Sequence, residues 1–266
     1  MAKEGEKMTQ RERRAFLIEY LLRENEEYAS IALPETEAEQ KKLLRSLVNV
    51  RRANPVSDEF LALQDEYLSE ANKSRGITDI DDLECVFDGV YLWRGDITTL
   101  KIGAIVNAAN SGMTGCYLPC HSCIDNCIHT FAGVQLRKVC SDIMEKQGCE
   151  EPTGKAKITR AFNLPCDYVI HTVGPIVRGK VSARDRLLLY SCYKSCLDLA
   201  AENDVKSLAF CCISTGVFCF PREEAAKIAI ETVKSWQGEN KGVLKVLFNV
   251  FSEVDWEIYE RLLTVK

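Results

Sequence analysis

The sequence predicts an α/β fold of three layers, helices on both faces of a central, largely parallel sheet, behind an N-terminal helical extension. Two observations carry this. From about residue 85 onward, short apolar runs alternate with segments whose apolar residues recur at helical spacing, the order that builds parallel strands joined by crossover helices. From about residue 9 to residue 75 glycine is absent and the apolar residues fall in helical stripes. The expected division is therefore an extension over residues 1–84 and an α/β domain over 85–266.

In chain order, Thr9 is the expected N-cap of a helix carrying Phe16, Leu17, Tyr20 and Leu21 on one face. Pro34 interrupts, and a second helix carries Leu43, Leu44, Leu47 and Val48. Asn54-Pro55 marks a turn, and Ser57 caps a third helix through Phe60, Leu61, Leu63, Tyr67 and Leu68, ended by Arg75-Gly76. Such stripes must bury against one another and the next domain. On this reading the extension carries no chemistry. Residues 86–93 read as one strand running into Arg94-Gly95-Asp96-Ile97-Thr98, and 104–106 as a second leading to Asn107 and Asn110. One helix is expected over 124–136, strands over 158–162 and 168–171, and a long helix over 184–201. Strand 208–213 runs into Ser214-Thr215-Gly216-Val217-Phe218. A helix over 221–236, a strand over 244–250 and a helix over 254–263 follow.

Composition narrows the function classes. Hydrophobic residues at 46% and charged residues at 27% suit a globular protein, and no apolar run approaches the roughly 18 residues of a membrane span. The first residues are charged and lack an apolar core, so no secretory signal is read. A net charge of -5 argues against broad nucleic-acid binding but permits a small anion held by backbone N–H groups. Thirteen cysteines without an export signal read as reduced thiols plus a metal site, in a cytoplasmic setting.

The chemistry concentrates between Ile105 and Arg137. A buried strand end gives way to Asn107 and Asn110, and Cys116, His121 and Cys123 then fall within eight residues as C-x4-H-x-C. Thiolate and imidazole ligands suit Zn²⁺, and three protein ligands leave the fourth position open, as in catalytic sites. Cys120 forms a C-x2-C with Cys123 and is an alternative fourth ligand that would close the site; buried thiols without metal are a third reading. Ser214 to Phe218, between a strand and a helix, is either an anion nest for a diphosphate or a plain tight turn. Asp96 is placed to accept from an exocyclic amine such as that of adenine, or to cap a turn. Asn107 and Asn110 suit sugar hydroxyls, or bracing of the turn through backbone bonds.

Taken together, Gly95-Asp96-Ile97-Thr98, Ile105-Val106-Asn107-Ala108-Ala109-Asn110 and Ile213-Ser214-Thr215-Gly216-Val217-Phe218 resemble, in order and spacing, the macrodomain family of ADP-ribose-binding proteins. The resemblance runs from about residue 85 onward. The ordinary pattern has a glycine run after the asparagine turn, then an aspartate and an Ile-His pair. Asp125 and Ile128-His129 match that tail, whereas Gly115-Cys116-Tyr117-Leu118-Pro119-Cys120-His121-Ser122-Cys123 replaces the glycine run. This replacement and the helical extension resemble the zinc-containing macrodomains, a subgroup associated with removal of ADP-ribose from modified proteins.

The resemblance implies an α/β/α macrodomain fold with one Zn²⁺ on Cys116, His121 and Cys123, the subgroup's positions, in preference to any set including Cys120. It implies ADP-ribose bound by Asp96, Ile97, Asn107, Asn110, Ser214, Thr215, Gly216, Val217 and Phe218. Asn110 would hold the distal ribose, and Asp125 would orient or deprotonate water; otherwise Asp125 is a solvent-facing residue of the first helical turn. The implied activity is zinc-dependent hydrolysis of mono-ADP-ribose from ester-linked Asp or Glu on proteins. The alternatives are a non-catalytic ADP-ribose reader and an O-acyl-ADP-ribose deacylase. Relatives in the subgroup are associated with a sirtuin-type ADP-ribosyltransferase and a lipoylated carrier protein. His129 is expected as a packed, hydrogen-bonded core histidine and His171 as structural support. Cys211, Cys212 and Cys219 are expected as small core residues, with Cys219, in the phosphate loop, the one open to oxidation.

Overall fold

Thr9 does cap the first helix, α1 (Gln10–Arg23), in a reciprocal pair with Glu12. Thr36 caps α2 (Glu37–Val50), and Ser57 caps α3 (Asp58–Ser74) through the Phe60 N–H. Leu17, Ile18 and Leu21 of α1, Leu44 and Leu47 of α2, and Phe60, Tyr67 and Leu68 of α3 form one buried cluster. Val134, from the following domain, joins it, so the extension is seated on the α/β core. The structure is a computed structural model and describes residues 7–240, 242 and 244–264; the outer ends of the two expected segments lie outside them. Among the described residues no helix is long and apolar enough to cross a membrane.

After a short parallel pair of β1 (Thr78–Asp79) with β4 (Leu100–Lys101), the rest is a seven-stranded sheet. Its strands are β2 (Cys85–Phe87), β3 (Val90–Arg94), β5 (Ala104–Ala109), β6 (Ala156–Arg160), β7 (Tyr168–Val173), β8 (Ser207–Phe210) and β9 (Lys245–Val250). Their spatial order is β2-β3-β9-β8-β5-β7-β6. The five central strands are parallel; β2 and β6 at the edges are antiparallel to their neighbours. Helices cover both sides of the sheet. Of these, α4 (Ile124–Ala132) packs on α5 (Val134–Gln147) and against α2 and α3, while α7 (Arg222–Glu239) lies between α6 (Ala183–Glu202) and α8 (Glu253–Thr264). Coverage of both faces is why β5 and β7 read as near-continuous apolar runs.

The strand expected over 208–213 already ends at Phe210, and three other differences from the sequence reading bear on the turns. The single strand expected over 86–93 is a hairpin, because Asp88-Gly89 takes positive φ at both residues, as a tight two-residue turn requires. The single helix expected over 124–136 is two, broken at Gly133, whose φ is +100° and whose missing Cβ would lie 2.7 Å from the Gln64 side chain. The strand expected to stop at residue 106 runs on to Ala109, so Asn107 is a strand residue and only Asn110 lies in the turn.

Candidate active site at the carboxyl ends of the strands

Asn107 on β5 faces His171 on β7 across the parallel ladder. Its side chain is wholly buried, and its amide donates to Asp125 Oδ1 at 2.8 Å and lies 3.1 Å from His171 Nδ1. With Nδ1 accepting, His171 carries its proton on Nε2, which lies 2.9 Å from the Thr159 hydroxyl. Burial drives the His171 pKa down to about 3, so the ring is neutral. His171 is the structural support that was expected. Asn107 is not placed to reach a sugar; it holds Asp125 from beneath.

Asn110, just past the strand end, donates to Asp125 Oδ2 at 3.2 Å and to the Gly115 carbonyl at 3.1 Å, while its own Oδ1 accepts from Gly112 N–H. Each oxygen of Asp125 thus takes one asparagine amide. Asp125 stands in the first turn of α4 but is buried rather than solvent-facing, and burial raises its pKa to about 6 against the opposing pull of Asn107. One turn on, His129 Nε2 is 3.6 Å from Asp125 Oδ1, too far for a hydrogen bond. His129 is packed as expected but not hydrogen-bonded as expected: among the described residues neither ring nitrogen has a partner, and desolvation holds it neutral.

The Cys116–Cys123 loop brings the three expected ligands together. Cys116 Sγ and His121 Nδ1 are 3.7 Å apart, and both lie within 4.8 Å of Cys123 Sγ. A tetrahedral Zn²⁺ with ordinary bond lengths sets sulfur and nitrogen ligands ~3.6 Å apart, so the donor set fits the ion. Cys120 turns away: its backbone is left-handed at φ +53°, and its thiol lies 3.2 Å from the Ser46 hydroxyl and 3.5 Å from the Lys42 carbonyl. Burial pushes the Cys123 thiol up to about 12, and Cys116 adds to the rise.

Ser214 and Cys219 take left-handed φ at either end of the glycine loop, which closes through Phe220 N–H to the Ser214 carbonyl at 3.0 Å. Among the described residues the N–H groups of Gly216, Val217 and Phe218 make no hydrogen bond within the chain, and Gly216 and Val217 are exposed. Donors left free in a tight turn are what an anion requires. Thr215 is tied back to the Cys212 carbonyl, and the Ser214 hydroxyl is buried without a partner. Asp96 caps a short turn through the Thr98 N–H at 2.9 Å while remaining half-exposed. Ile97 is a core residue, so its side chain cannot touch a ligand. Cys211 is buried as expected and Cys212 half-buried, whereas Cys219, expected in the core, is exposed, because it turns at left-handed φ at the end of the loop.

Residues 106–229 match the Macro domain family. Over 97% of its length this chain is 62% identical to the whole of a Treponema medium protein named protein-ADP-ribose hydrolase. The chain belongs to the macro domain family. A Staphylococcus aureus protein of the same name is 51% identical over 92% of each chain. Among solved structures, the Oceanobacillus iheyensis macrodomain with ADP superposes with a TM-score of 0.61 at 37% identity, covering 67% of this chain and 92% of that one. The Trypanosoma brucei macrodomain in complex with ADP-ribose gives a TM-score of 0.64 at 28% identity, covering 86% and 96%.

This macrodomain also brings to the site residues that the sequence reading passed over. Arg75, at the end of α3, pairs with Asp96, donates to the Thr98 hydroxyl at 2.8 Å and lies 3.6 Å above the Phe131 ring. It lines an open cleft of about 510 Å³ with Ile77, Trp93, Asp96 and Thr99. Arg45 of α2 reaches the metal-type loop, and Arg137 of α5 links the Cys116 carbonyl at its start to the end of α2. Arg75 was read only as the end of a helix, and the charge of Arg45 and Arg137 gave no signal of these partners.

Proposed function

We propose that this macrodomain is a zinc-dependent hydrolase that removes mono-ADP-ribose from proteins modified through an ester on Asp or Glu. One observation carries the reading: the donor atoms of Cys116, His121 and Cys123 lie within 4.8 Å of one another, Cys123 two residues before the Asp125 that Asn110 holds, while the Cys120 thiol lies against Ser46. The names of the Treponema medium and Staphylococcus aureus relatives, protein-ADP-ribose hydrolase, support it.

In this proposal the free N–H groups of Gly216, Val217 and Phe218 receive the diphosphate. The half-exposed Asp96, already taking Arg75 and Thr98, directs its remaining lone pairs to the exocyclic amine of the base in the cleft beside it. Asn110, held by Asp125 and Gly112, sets the distal ribose. A Zn²⁺ held by Cys116, His121 and Cys123 would supply Lewis-acid polarisation of an oxygen at its open position. Asp125, fixed by two amides, orients a water toward the anomeric carbon. The bond from that carbon to the ester oxygen breaks, the carboxylate leaves with the electron pair, and the water oxygen takes its place. One of the water's protons passes to Asp125 and on to solvent, and the other stays on the new anomeric hydroxyl. A carboxylate is already a good leaving group, so positioning and charge stabilisation supply most of the acceleration as the carbon gains oxocarbenium character.

The test incubates the purified chain with an ester-linked, mono-ADP-ribosylated protein, with and without chelator. A lipoylated carrier protein modified by a sirtuin-type transferase serves as one of the substrates, because that partnership belongs to the same proposal. Release that stops on chelation and returns with Zn²⁺ is expected. Binding without release under all conditions would make the chain a reader, and release indifferent to chelation would remove the metal from the mechanism. Turnover confined to O-acyl-ADP-ribose would replace the protein substrate.

A further inference from the structure

We propose that the helical extension positions the Cys116–Cys123 loop, with Arg45 and Asn49 of α2 as the residues that fix the three candidate ligands relative to one another. The consequence for metal binding rests on the zinc reading above; the consequence for loop order does not.

The loop from Cys116 to Cys123 has no regular secondary structure, so its shape comes from what it touches. Arg45 Nη2 donates to the His121 carbonyl at 2.8 Å and to Asn126 Oδ1 at 3.0 Å. Asn126 in turn donates its N–H to Cys123 Sγ at 3.4 Å and its side-chain amide to the Leu118 carbonyl at 2.9 Å. One guanidinium therefore holds the histidine ligand directly and the second cysteine through one residue. Hydrogen bonds from a charged donor are stronger than neutral ones, enough to fix a short irregular segment.

Asn49, wholly buried one turn further along α2, accepts the Cys120 N–H at 2.9 Å and donates to the Thr130 hydroxyl at 2.9 Å. This matters because Cys120 is left-handed at φ +53°, a conformation that a non-glycine residue keeps only where its surroundings impose it. That reversal points the Cys120 thiol at α2 and sends His121 back toward Cys116. From the far side, Arg137 donates to the Thr114 carbonyl at 2.8 Å and to the Val48, Asn49 and Arg51 carbonyls at the end of α2. Its guanidinium also lies 4.4 Å from the centre of the Tyr117 ring. The loop is thus fastened to α2 and to α5, and α2 is held in place by the same arginine.

The test uses the full chain with Arg45→Met and Asn49→Ala, and with Arg45→Lys and Asn49→Ser as milder variants should the truncations fail to fold. Zn²⁺ affinity is measured by competition with a chromophoric chelator, and amide hydrogen exchange of residues 116–123 is measured on chelated protein. Arg45→Met and Asn49→Ala are expected to weaken Zn²⁺ binding 10–100-fold, the range typical of partners that orient metal ligands. They should also deprotect residues 116–123 while leaving exchange in β5 and α6 unchanged. Arg45→Lys, which keeps one donor for the His121 carbonyl, is expected to lie between. Zn²⁺ affinity within twofold of the parent together with unchanged exchange in the loop overturns the proposal. A parent chain that takes up no Zn²⁺ overturns the metal reading and the positioning of ligands with it. Variants that lose loop protection without losing Zn²⁺ affinity leave that reading standing and overturn the claim that the clamp sets ligand geometry.

Discussion

A methyl group added at Gly174 tests how closely the glycine loop is seated on the sheet. Built on the backbone as it stands, that carbon would lie 2.1 Å from Ser214 Oγ and 2.9 Å from Ile213 Cγ2. Ile213 is fully buried and has nowhere to withdraw, whereas Ser214 sits at φ +65° with a buried hydroxyl that no group accepts or donates to. Overpacking of this kind costs about 1–3 kcal/mol, and the strain falls on the segment that leads into Gly216, Val217 and Phe218. Gly174→Ala is therefore expected to lower stability in urea by about 1–3 kcal/mol and to weaken ADP-ribose binding about tenfold, ~1.4 kcal/mol, in a calorimetric titration. Ser214→Gly removes the clashing oxygen and the left-handed cost together. The double variant should recover part of both losses, with a coupling of about 0.5–3 kcal/mol in the cycle. Strict additivity, or a Gly174→Ala protein that behaves like the parent in both assays, would refute the close seating of this loop.

Two further outcomes follow from the same geometry. Gly216→Glu meets no atom within 4 Å of its new Cβ, so the fold should be unchanged while ADP-ribose binding is abolished; unaltered affinity by calorimetry would remove the diphosphate from this loop. The buried histidine gives a pH signature. His171 titrates near 3 in the folded chain against an ordinary value of 6.5, so between these limits the unfolded chain binds the extra proton and stability falls as pH falls. One such proton is worth about 1.4 kcal/mol per pH unit. His129 acts in the same direction, and Asp125, raised to about 6 from 3.8, acts in the opposite one between those values. His171→Gln should reduce the slope of stability between pH 6 and 4 by about one proton; equal slopes in the two proteins would show that this ring does not carry the effect.

Local signals in the sequence carried most of the fold. Thr9 with Glu12, Ser57 before an apolar stripe and Pro221 before α7 are helix starts readable within a few residues, and all three stand at helix starts. Asp88-Gly89 was equally local, a hairpin dipeptide hidden inside an apolar run, and Gly133 was a break inside a convincing helical period. The metal-type cluster was legible because its members lie within eight residues. What periodicity cannot show is a partner far along the chain. Arg45 meets His121 and Asn126 at separations of 76 and 81 residues, and on α2 its charge looks like any solvated face. The burial of Asn107 was illegible for a related reason: whether a strand-end asparagine faces ligand or core depends on where the strand stops, and β5 runs three residues past the expected end.

Cys123 explains how the glycine run could be replaced without displacing Asp125. It is the N-cap of α4, its sulfur accepting the Asn126 N–H at 3.4 Å, a place that serine, threonine or aspartate ordinarily fills. As a metal-bound thiolate the same atom would be a stronger acceptor at the positive end of the helix, worth about 0.3–1 kcal/mol, so the cap and the ion would reinforce each other. The two roles come apart on substitution. Cys123→Ser keeps an acceptor at the cap while discarding the soft ligand, so Zn²⁺ binding should be lost with unfolding of the chelated protein nearly unchanged. Cys123→Ala removes both, and the chelated protein should lose about 0.5–2 kcal/mol in addition. Because Asp125 hangs on that first turn, the alanine variant should also loosen the two bonds it accepts from the Asn107 and Asn110 side-chain amides, seen as a change in those side-chain NH2 resonances by NMR. Equal stability of the serine and alanine variants in chelator would show that the sulfur does not cap the helix, and the link between ligand loop and carboxylate would have to run through Asn110 alone.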